Sequence, residues 1–441
     1  MLPSIIIFLG AYALMVSEKL NRTAAAVFGA TAVLLLRLIP YDAALQTIDL
    51  DVVFLLIGMM IVVEILARTG LFEWVAIAIA QRARGNPMII LIGLLTATGV
   101  MSAFLDNVTT VVLMAPITIL ITQILELPTV PFLILQALFS NIGGTATLVG
   151  DPPNILIGAQ GELSFNAFIM NLTPVVAVCS AVVFVGILLL MRGALRTTPE
   201  LRARIMKAKP SKAILDPWRL KRGGAVFALI LMGFMGGHYL GLQPGIIALS
   251  GAFVMITATR SNLRAAMEKV EWETILFLMG LFMLVGALEY NGLFTLIARF
   301  VFSGTQDRLF ATALVVLWSS ALLSAFFGNI PVTIAMIPLV QTLIETTQAE
   351  LGLEQHSELF AQYVAHPLWW SLALGACFGG NGTLFGAAAN IVVAQVARRN
   401  GYALSFRDFL RFGASVMLAT LAVASIYIYL RYFAFSPMQD V

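Results

Sequence analysis

The sequence predicts an all-α polytopic membrane protein built from two inverted repeats. About ten membrane-spanning helices, two re-entrant hairpins and helices broken near the midplane are expected. Three observations carry this. Of 441 residues, 60% are hydrophobic and only 11% charged, too little charge to cover the surface of a soluble domain. Apolar runs such as Val27 to Leu38 with its flanks, Val175 to Met191 and Ala225 to Leu240 approach the roughly 20 helical residues that cross a bilayer. The two halves also share motifs at fixed offsets. Because the apolar runs are continuous, an alternating-strand barrel is not expected, and because they recur along the whole chain, neither a single anchor nor a cleaved leader is.

The elements follow in order. Spans are expected near 4–17, 23–40 and 51–68, then an amphipathic stretch near 71–83. Two apolar legs, about 88–104 and 109–124, flank Leu105-Asp106-Asn107-Val108 and form a hairpin over 88–124. A span over 130–160 is interrupted by Gly143-Gly144 and by Gly150-Asp151-Pro152-Pro153-Asn154. A last span, 171–191, completes repeat 1 (1–193). A basic linker (194–221) precedes repeat 2 (222–441), with a hairpin near 309–344 and a broken span over 366–395.

The segment from Arg192 to Arg222 holds ten basic residues (Arg192, Arg196, Arg202, Arg204, Lys207, Lys209, Lys212, Arg219, Lys221, Arg222) against Glu200 and Asp216. That bias places it in the cytoplasm. Traced outward, Lys19, Arg22, Arg82, Arg84, Arg260, Arg264, Lys269, Arg398, Arg399, Arg407 and Arg411 also fall inside. Asp42, Asp49 and Asp51 fall outside, as does an acidic stretch over 345–358 with Glu345, Glu350, Glu354 and Glu358. Arg37, Arg299 and Arg308 are exceptions. Both termini are then outside, in a multi-pass protein of the plasma (inner) membrane.

The repeat is read from register. Ser102-Ala103-Phe104-Leu105-Asp106-Asn107 returns as Ser324-Ala325-Phe326-Phe327-Gly328-Asn329, an offset of 222 (324 less 102). Gly29 and Gly251, Gly58 and Gly280, Gly70-Leu71-Phe72 and Gly292-Leu293-Phe294, and Met114 and Pro116 with Met336 and Pro338 keep the same offset. Gly143-Gly144, Thr147-Leu148, Gly150 and Asn154-Ile155 return as Gly379-Gly380, Thr383-Leu384, Gly386 and Asn390-Ile391, an offset of 236. The 14 extra residues (236 less 222) are assigned to the acidic stretch. Each half crosses an odd number of times, so the second starts on the opposite face. Such repeats with broken helices characterise many secondary transporters.

The breaks are the expected site. Glycine costs about 1 kcal/mol and proline about 3 kcal/mol in a helix interior relative to alanine, and unwound backbone in hydrocarbon is tolerated only against protein or a wet cavity. There it offers carbonyls to cations and helix amino ends to anions. The candidate ion- or substrate-binding residues are Asp106, Asn107, Thr109, Thr110, Gly144, Thr145, Thr147, Asp151 and Asn154. The second half adds Asn329, Thr333, Asn381, Thr383 and Asn390. Oxygen donors of this kind suit a hard cation such as Na+, placed at Asp106, Asn107 and Asn329. Asp106 and Asp151 are the acids expected to matter, since an ionisable group within a membrane is expensive and usually functional; helix capping is the alternative for both. Glu64 and Glu289 read as interfacial, His238 and His356 as loop residues, Trp369-Trp370 beside His366 as an interface belt, and Cys179 and Cys377 as small apolar fillers. No Walker motif, metal-spaced histidine pair or nucleophile–base pair stands out. No enzyme activity, resident cofactor or nucleic-acid partner is therefore expected.

At these motifs the chain resembles the ion transporter superfamily. The branch is that of the arsenite permeases, the Na+/H+ antiporter D family and the albinism P protein, with a citrate transporter-like domain. The resemblance rests on Ser102 to Thr110, Gly150 to Asn154, Asn329-Ile330-Pro331, Gly379 to Leu384 and Asn400 to Phe409. It implies a scaffold, a mobile transport domain with two hairpins, a homodimer and elevator-type alternating access. Where members of this branch often carry an acid before the second-half asparagine, Gly328 stands here, which implies one strong and one weak cation site. The expected function is a secondary active carrier of a small anion or oxyanion, arsenite-like included, coupled to H+ or Na+. An arsenite-type carrier would work with a separate ATPase. A Na+/H+ antiporter is the alternative; a dicarboxylate carrier is disfavoured by the lack of basic residues in the broken motifs, and a channel by the lack of a charged ring.

Overall fold

In the computed structural model, residues 1–16, 20–191, 193, 195, 197–305, 308–351 and 360–434 are described. Lys19, Arg192, Arg196, Glu354, His356 and Glu358 lie outside them. The described residues are helical, with no strand among them.

The first half runs α1 (Leu2–Val16), α2 (Arg22–Leu35), a short α3 (Tyr41–Gln46), α4 (Leu50–Ala67) and α5 (Leu71–Arg82). Two legs follow, α6 (Pro87–Ser102) and α7 (Asn107–Ile124), then the halves of a broken helix, α8 (Thr129–Gly144) and α9 (Pro152–Gln160), and the long α10 (Phe165–Met191). The linker carries α11 (Pro199–Met206). The second half repeats the order: α12 (Pro217–Gly237), α13 (Pro244–Thr259), a short α14 (Leu263–Met267), α15 (Trp272–Tyr290) and α16 (Leu293–Gly304). The legs α17 (Leu309–Phe327) and α18 (Asn329–Leu351), the broken pair α19 (His366–Gly379) and α20 (Ala388–Arg399), and α21 (Phe406–Ile428) complete it.

Helix starts are chemically marked. The side-chain oxygens of Asn21, Asp49, Asn86 and Asp106 accept the first free amides of α2, α4, α6 and α7, which would otherwise lack partners. Among the described residues eight helices are long and apolar enough to cross a membrane, three of them hairpin legs. The broken pairs reach spanning length only when their halves are added.

Close packing occurs twice, in exchanged form. A Cβ on Gly58 of α4 would lie 2.5 Å from the backbone carbon of Ala248 on α13. One on Gly280 of α15 would lie 2.9 Å from the backbone carbon of Ala26 on α2. Both partners differ by 222 in the two contacts, so a span of each half packs against a span of the other. Glycine admits this backbone approach because any side chain would occupy the gap.

Several expectations are corrected. The span expected over 23–40 ends at Leu35, where Arg37 takes a left-handed conformation (φ 53°). The span expected from 171 begins at Phe165. The second hairpin does not end at 344: α18 continues to Leu351, so Glu345 and Glu350 are helical and part of the insertion lengthens this leg. Trp369 and Trp370 form no interface belt. Both are buried, and Trp370 sits edge-on to Phe168 at 5.0 Å. Hydropathy marks an apolar helix but not whether lipid or protein surrounds it, and α19 is enclosed by protein.

Candidate functional site

The breaks are held open by side chains that replace lost backbone bonds. The Asn154 side-chain amide donates to the carbonyls of Thr145 (3.0 Å) and Thr147 (2.8 Å). In the second half Asn390 donates to Gly380 (2.8 Å) and Thr383 (2.9 Å). Ser102 and Ser324 donate to the carbonyls of Ser140 (2.7 Å) and Ala376 (2.6 Å), and the Thr147 and Thr383 hydroxyls donate to Ala103 and Ala325. Each hairpin tip is thereby tied to the break beside it. Several carbonyls expected to be open to cations are thus already satisfied, and Asn154 and Asn390 act as staples of the backbone.

The two tips and the two breaks meet in one buried polar network. From the first tip, the Asn107 amide donates to Asn141 Oδ1 at 3.1 Å. Asn141 in turn donates to Asn381 (2.9 Å) and Asn390 (3.0 Å) of the second half. From the second tip, the Asn329 amide donates to both Asp151 oxygens, at 3.0 and 3.3 Å, and its backbone N–H to Gly386 at 3.0 Å. Cys377 donates to Asn154 Oδ1 at 3.6 Å. This contact and the Asn141–Asn390 bond exchange under the 236 offset, with a thiol in one and an amide in the other. Among the described residues Thr110 Oγ1 and Asn381 Nδ2 are buried without a partner.

The two acids differ. Half-buried Asp106 caps α7, accepting from the Thr109 N–H at 2.8 Å; Thr109 is also half-buried. Asp151 is fully buried, stands ahead of α9 and makes no capping bond. Its side-chain partner is Asn329, at the tip of the second hairpin. Thr333 donates to its own helix, to the carbonyl of Asn329 at 2.8 Å. Gly144 and Gly150 pass so closely that a Cβ on Gly144 would sit 2.7 Å from the Gly150 carbonyl oxygen, on the bend beside Thr145.

Gly328 breaks the equivalence of the tips. Asp106 has φ −62° and ψ 152°, whereas Gly328 has φ 91° and ψ 146°, a region essentially closed to residues with a side chain. An acid cannot stand there without moving the tip. A Cβ would meet nothing nearer than Pro331 Cδ at 3.7 Å, so the penalty of Gly328→Ala is backbone strain alone. We expect it to cost about 1–3 kcal/mol, read as a lowered thermal unfolding midpoint of the purified protein.

A cavity of about 770 Å³ reaches the second tip. Gly328, Asn329, Ile330 and Pro331 line it with Phe385 and Ala388 of the second break. Facing them are Tyr12 and Met15 of α1, Arg22 and Thr23 of α2, and Glu271, Glu273, Thr274 and Phe277 at the start of α15. The Asn21 amide donates to Glu273 Oε1 at 2.5 Å and the Thr23 hydroxyl to the Glu273 carbonyl at 3.1 Å. Burial pushes the Glu271 carboxyl, just ahead of α15, above its ordinary value; the Asp106 and Glu273 charges add to the rise and the Thr274 hydroxyl opposes it. A second cavity, about 410 Å³, is lined by Asp51, Leu55 and Pro244, which are Glu273, Phe277 and Arg22 shifted by 222. There the Gly245 N–H donates to Asp51 at 2.8 Å. No residue of the first tip lines this smaller cavity.

The comparisons with known proteins bear on this arrangement. A model of the CitMHS family, described as a citrate transporter, matches residues 12–375. The chain belongs to the CitMHS family. Among relatives of this CitMHS protein, an uncharacterized transporter of Mycobacterium tuberculosis is 40% identical over 434 residues, covering 98% of each chain. An uncharacterized transporter of Synechocystis is 31% identical, covering 96% of this chain and 95% of its own. The human P protein is 32% identical across 96% of this chain, a match that spans 59% of the P protein. The crystal structure of the YdaH transporter of Alcanivorax borkumensis shares the fold, with a TM-score of 0.55 at 15% identity over 85% of this chain and 84% of that one. The CitMHS chain is therefore an integral, multi-pass membrane transporter.

Sequence reasoning missed Asn141, Cys377, Glu271 and Glu273. The repeat offsets hold the signal for three of them. Glu271 and Glu273 are Asp49 and Asp51 plus 222, and Cys377 is Asn141 plus 236. Asn141 itself carries no local mark.

Proposed function

We propose that this CitMHS protein is a secondary active ion transporter, in which the buried network binds a coupling H+ or Na+ and the cargo is a small anion or oxyanion. The observation that carries this is Asp151. It is a fully buried carboxylate bonded to the tip of the opposite hairpin, in a network whose members include no basic side chain. A carboxylate held that way is costly unless a cation or proton joins it, and its link to Asn329 gives the bound state a way to act on the hairpin.

The remaining parts of the reading follow. The hairpins α6–α7 and α17–α18 enter from opposite faces, and with α8–α9 and α19–α20 they move against a scaffold of α1, α2, α4, α12, α13 and α15 in an elevator-type exchange. The scaffold spans pair two copies as a homodimer, and the basic linker faces the cytoplasm. The 770 Å³ cavity then faces inward, and the smaller cavity is its outward counterpart. The acidic lining, Glu271 and Glu273 against Arg22, favours a second reading, Na+/H+ antiport, over carriage of a multiply charged anion.

Proteoliposome flux across a panel of ions, with imposed H+ and Na+ gradients, tests both readings. Uptake of an oxyanion driven by either gradient supports the first, Na+/H+ exchange without cargo supports the second, and gradient-independent flux refutes both. Asp106→Asn retains the cap on α7 and removes the charge. It is expected to leave the unfolding midpoint unchanged and to abolish ion-driven flux. Unchanged rate, pH profile and Na+ dependence would make Asp106 a cap alone.

A further inference from the structure

The scaffold ends of α12 and α13 carry an arrangement that transport does not use. Exposed Trp218, in the first turn of α12, has the Arg222 guanidinium over its ring at 4.1 Å. The Arg260 guanidinium, from the end of α13, approaches the same ring at 5.7 Å. An indole face attracts one cation well, but two cations gathered on one indole repel each other unless an anion shares them. Neither arginine has an ion-pair partner among the described residues. The nearby acids are matched elsewhere, Asp216 to Arg219 at 3.2 Å and Glu268 to Arg264 at 3.3 Å. Arg222 spends one N–H on the Ala258 carbonyl at 3.3 Å, which fixes its position.

Further along the same helices, the exposed side chains turn apolar: Leu229 and Met232 on α12, Phe253 and Val254 on α13. A ligand matched to both regions has an anionic head and long apolar tails. The bias that places the linker in the cytoplasm explains why basic residues are abundant here. It does not explain why two from different helices converge on one tryptophan.

We propose that Trp218, Arg222 and Arg260 form a binding site for the headgroup of an anionic phospholipid of the inner leaflet, whose tails lie along α12 and α13. A free phosphate would satisfy the arginines but leave the apolar faces without a match, so the lipid is the occupant. The site rests on the membrane reading of the fold and is independent of which ion is carried.

The test uses the full chain in phosphatidylcholine vesicles containing brominated phosphatidylglycerol or brominated phosphatidylcholine at equal mole fraction. The chain has six tryptophans, so the Trp218 signal is the difference between the natural chain and Trp218→Phe. Quenching of that signal should favour phosphatidylglycerol. Arg260→Gln, an exposed change, should weaken the preference about fivefold, the effect of one basic group near an anionic surface. The double change Lys207→Gln and Lys209→Gln removes more charge from the same face and should leave the preference intact. Equal quenching by both lipids would overturn the site, as would an equal loss in the lysine variant, which would mean diffuse attraction. A Trp218 response to inorganic phosphate in lipid-free detergent that matches the response to the lipid would overturn the phospholipid as occupant.

Discussion

Asp151→Asn is expected to lower ion-driven flux by about 10- to 100-fold while leaving the protein as stable as before, or more so. A buried hydrogen bond to a charged group is worth about 1.5–3 kcal/mol, and that range sets the functional loss if the carboxylate holds the coupling ion. Stability runs the other way. Asp151 is fully buried, caps no helix and meets the Asn329 amide with both oxygens. An asparagine at 151 can turn its carbonyl toward that amide, so the bond survives and the uncompensated charge disappears. Thermal unfolding and proteoliposome flux on the same preparation check it. A fall in the unfolding midpoint that accounts for the lost flux would reduce Asp151 to a structural group, and flux within twofold of the natural chain would remove it from the ion site. Asp106→Asn is the companion variant: the cap on α7 survives the change, so a loss of flux there as well would place both carboxylates at the ion site.

What the sequence made legible and what it hid divide along a physical line. Chain breaks are local events. Gly143-Gly144, Gly150 and Pro152-Pro153 announce an interrupted helix whatever surrounds them, because the cost of glycine and proline in a helix is set by the backbone. Asp106 and Asn107 were likewise readable as a tip between two apolar legs, and the structure pairs Asn107 with Asn141 and Asn329 with Asp151. The partners in these bonds lie far apart along the chain. Asn141 bonds Asn381 and Asn390, 240 and 249 residues away, and nothing near Asn141 distinguishes it from an asparagine that ends a helix. Cys377 read as filler for the same reason: its contact with Asn154 spans 223 residues. Gly328 was visible as a departure from the repeat, but only its backbone angle explains why an acid is excluded there. Composition misled most at Trp369 and Trp370. Tryptophan prefers an interface when the helix faces lipid, and α19 instead fills the protein's interior.

Gly143→Ala and Gly379→Ala are expected to be strongly damaging despite adding a single methyl group. A Cβ on Gly143 would lie 2.1 Å from the Gly99 carbonyl oxygen and 2.4 Å from its Cα. One on Gly379 would lie 2.4 Å from the Ala321 oxygen and 2.5 Å from its Cα. In both cases the obstacle is helix backbone, which cannot rotate aside as a flexible side chain does. Relief therefore requires α8 to separate from α6, or α19 from α17. Those separations would pull apart the bonds from Ser102 to Ser140 and from Ser324 to Ala376, which tie each hairpin to its break. Overpacking a well-filled interior costs about 1–3 kcal/mol or more, and loss of a buried hydrogen bond adds about 1 kcal/mol. Against a total stability of about 5–15 kcal/mol, each variant should show a clearly lowered unfolding midpoint and a reduced folded yield. Gly186→Ala on α10 is the control, since a Cβ there meets nothing within 4 Å and the change favours helix. If Gly143→Ala and Gly379→Ala unfold with the midpoint of Gly186→Ala, the hairpins are not packed on the broken helices as described, and the tip-to-break ties fall with that packing.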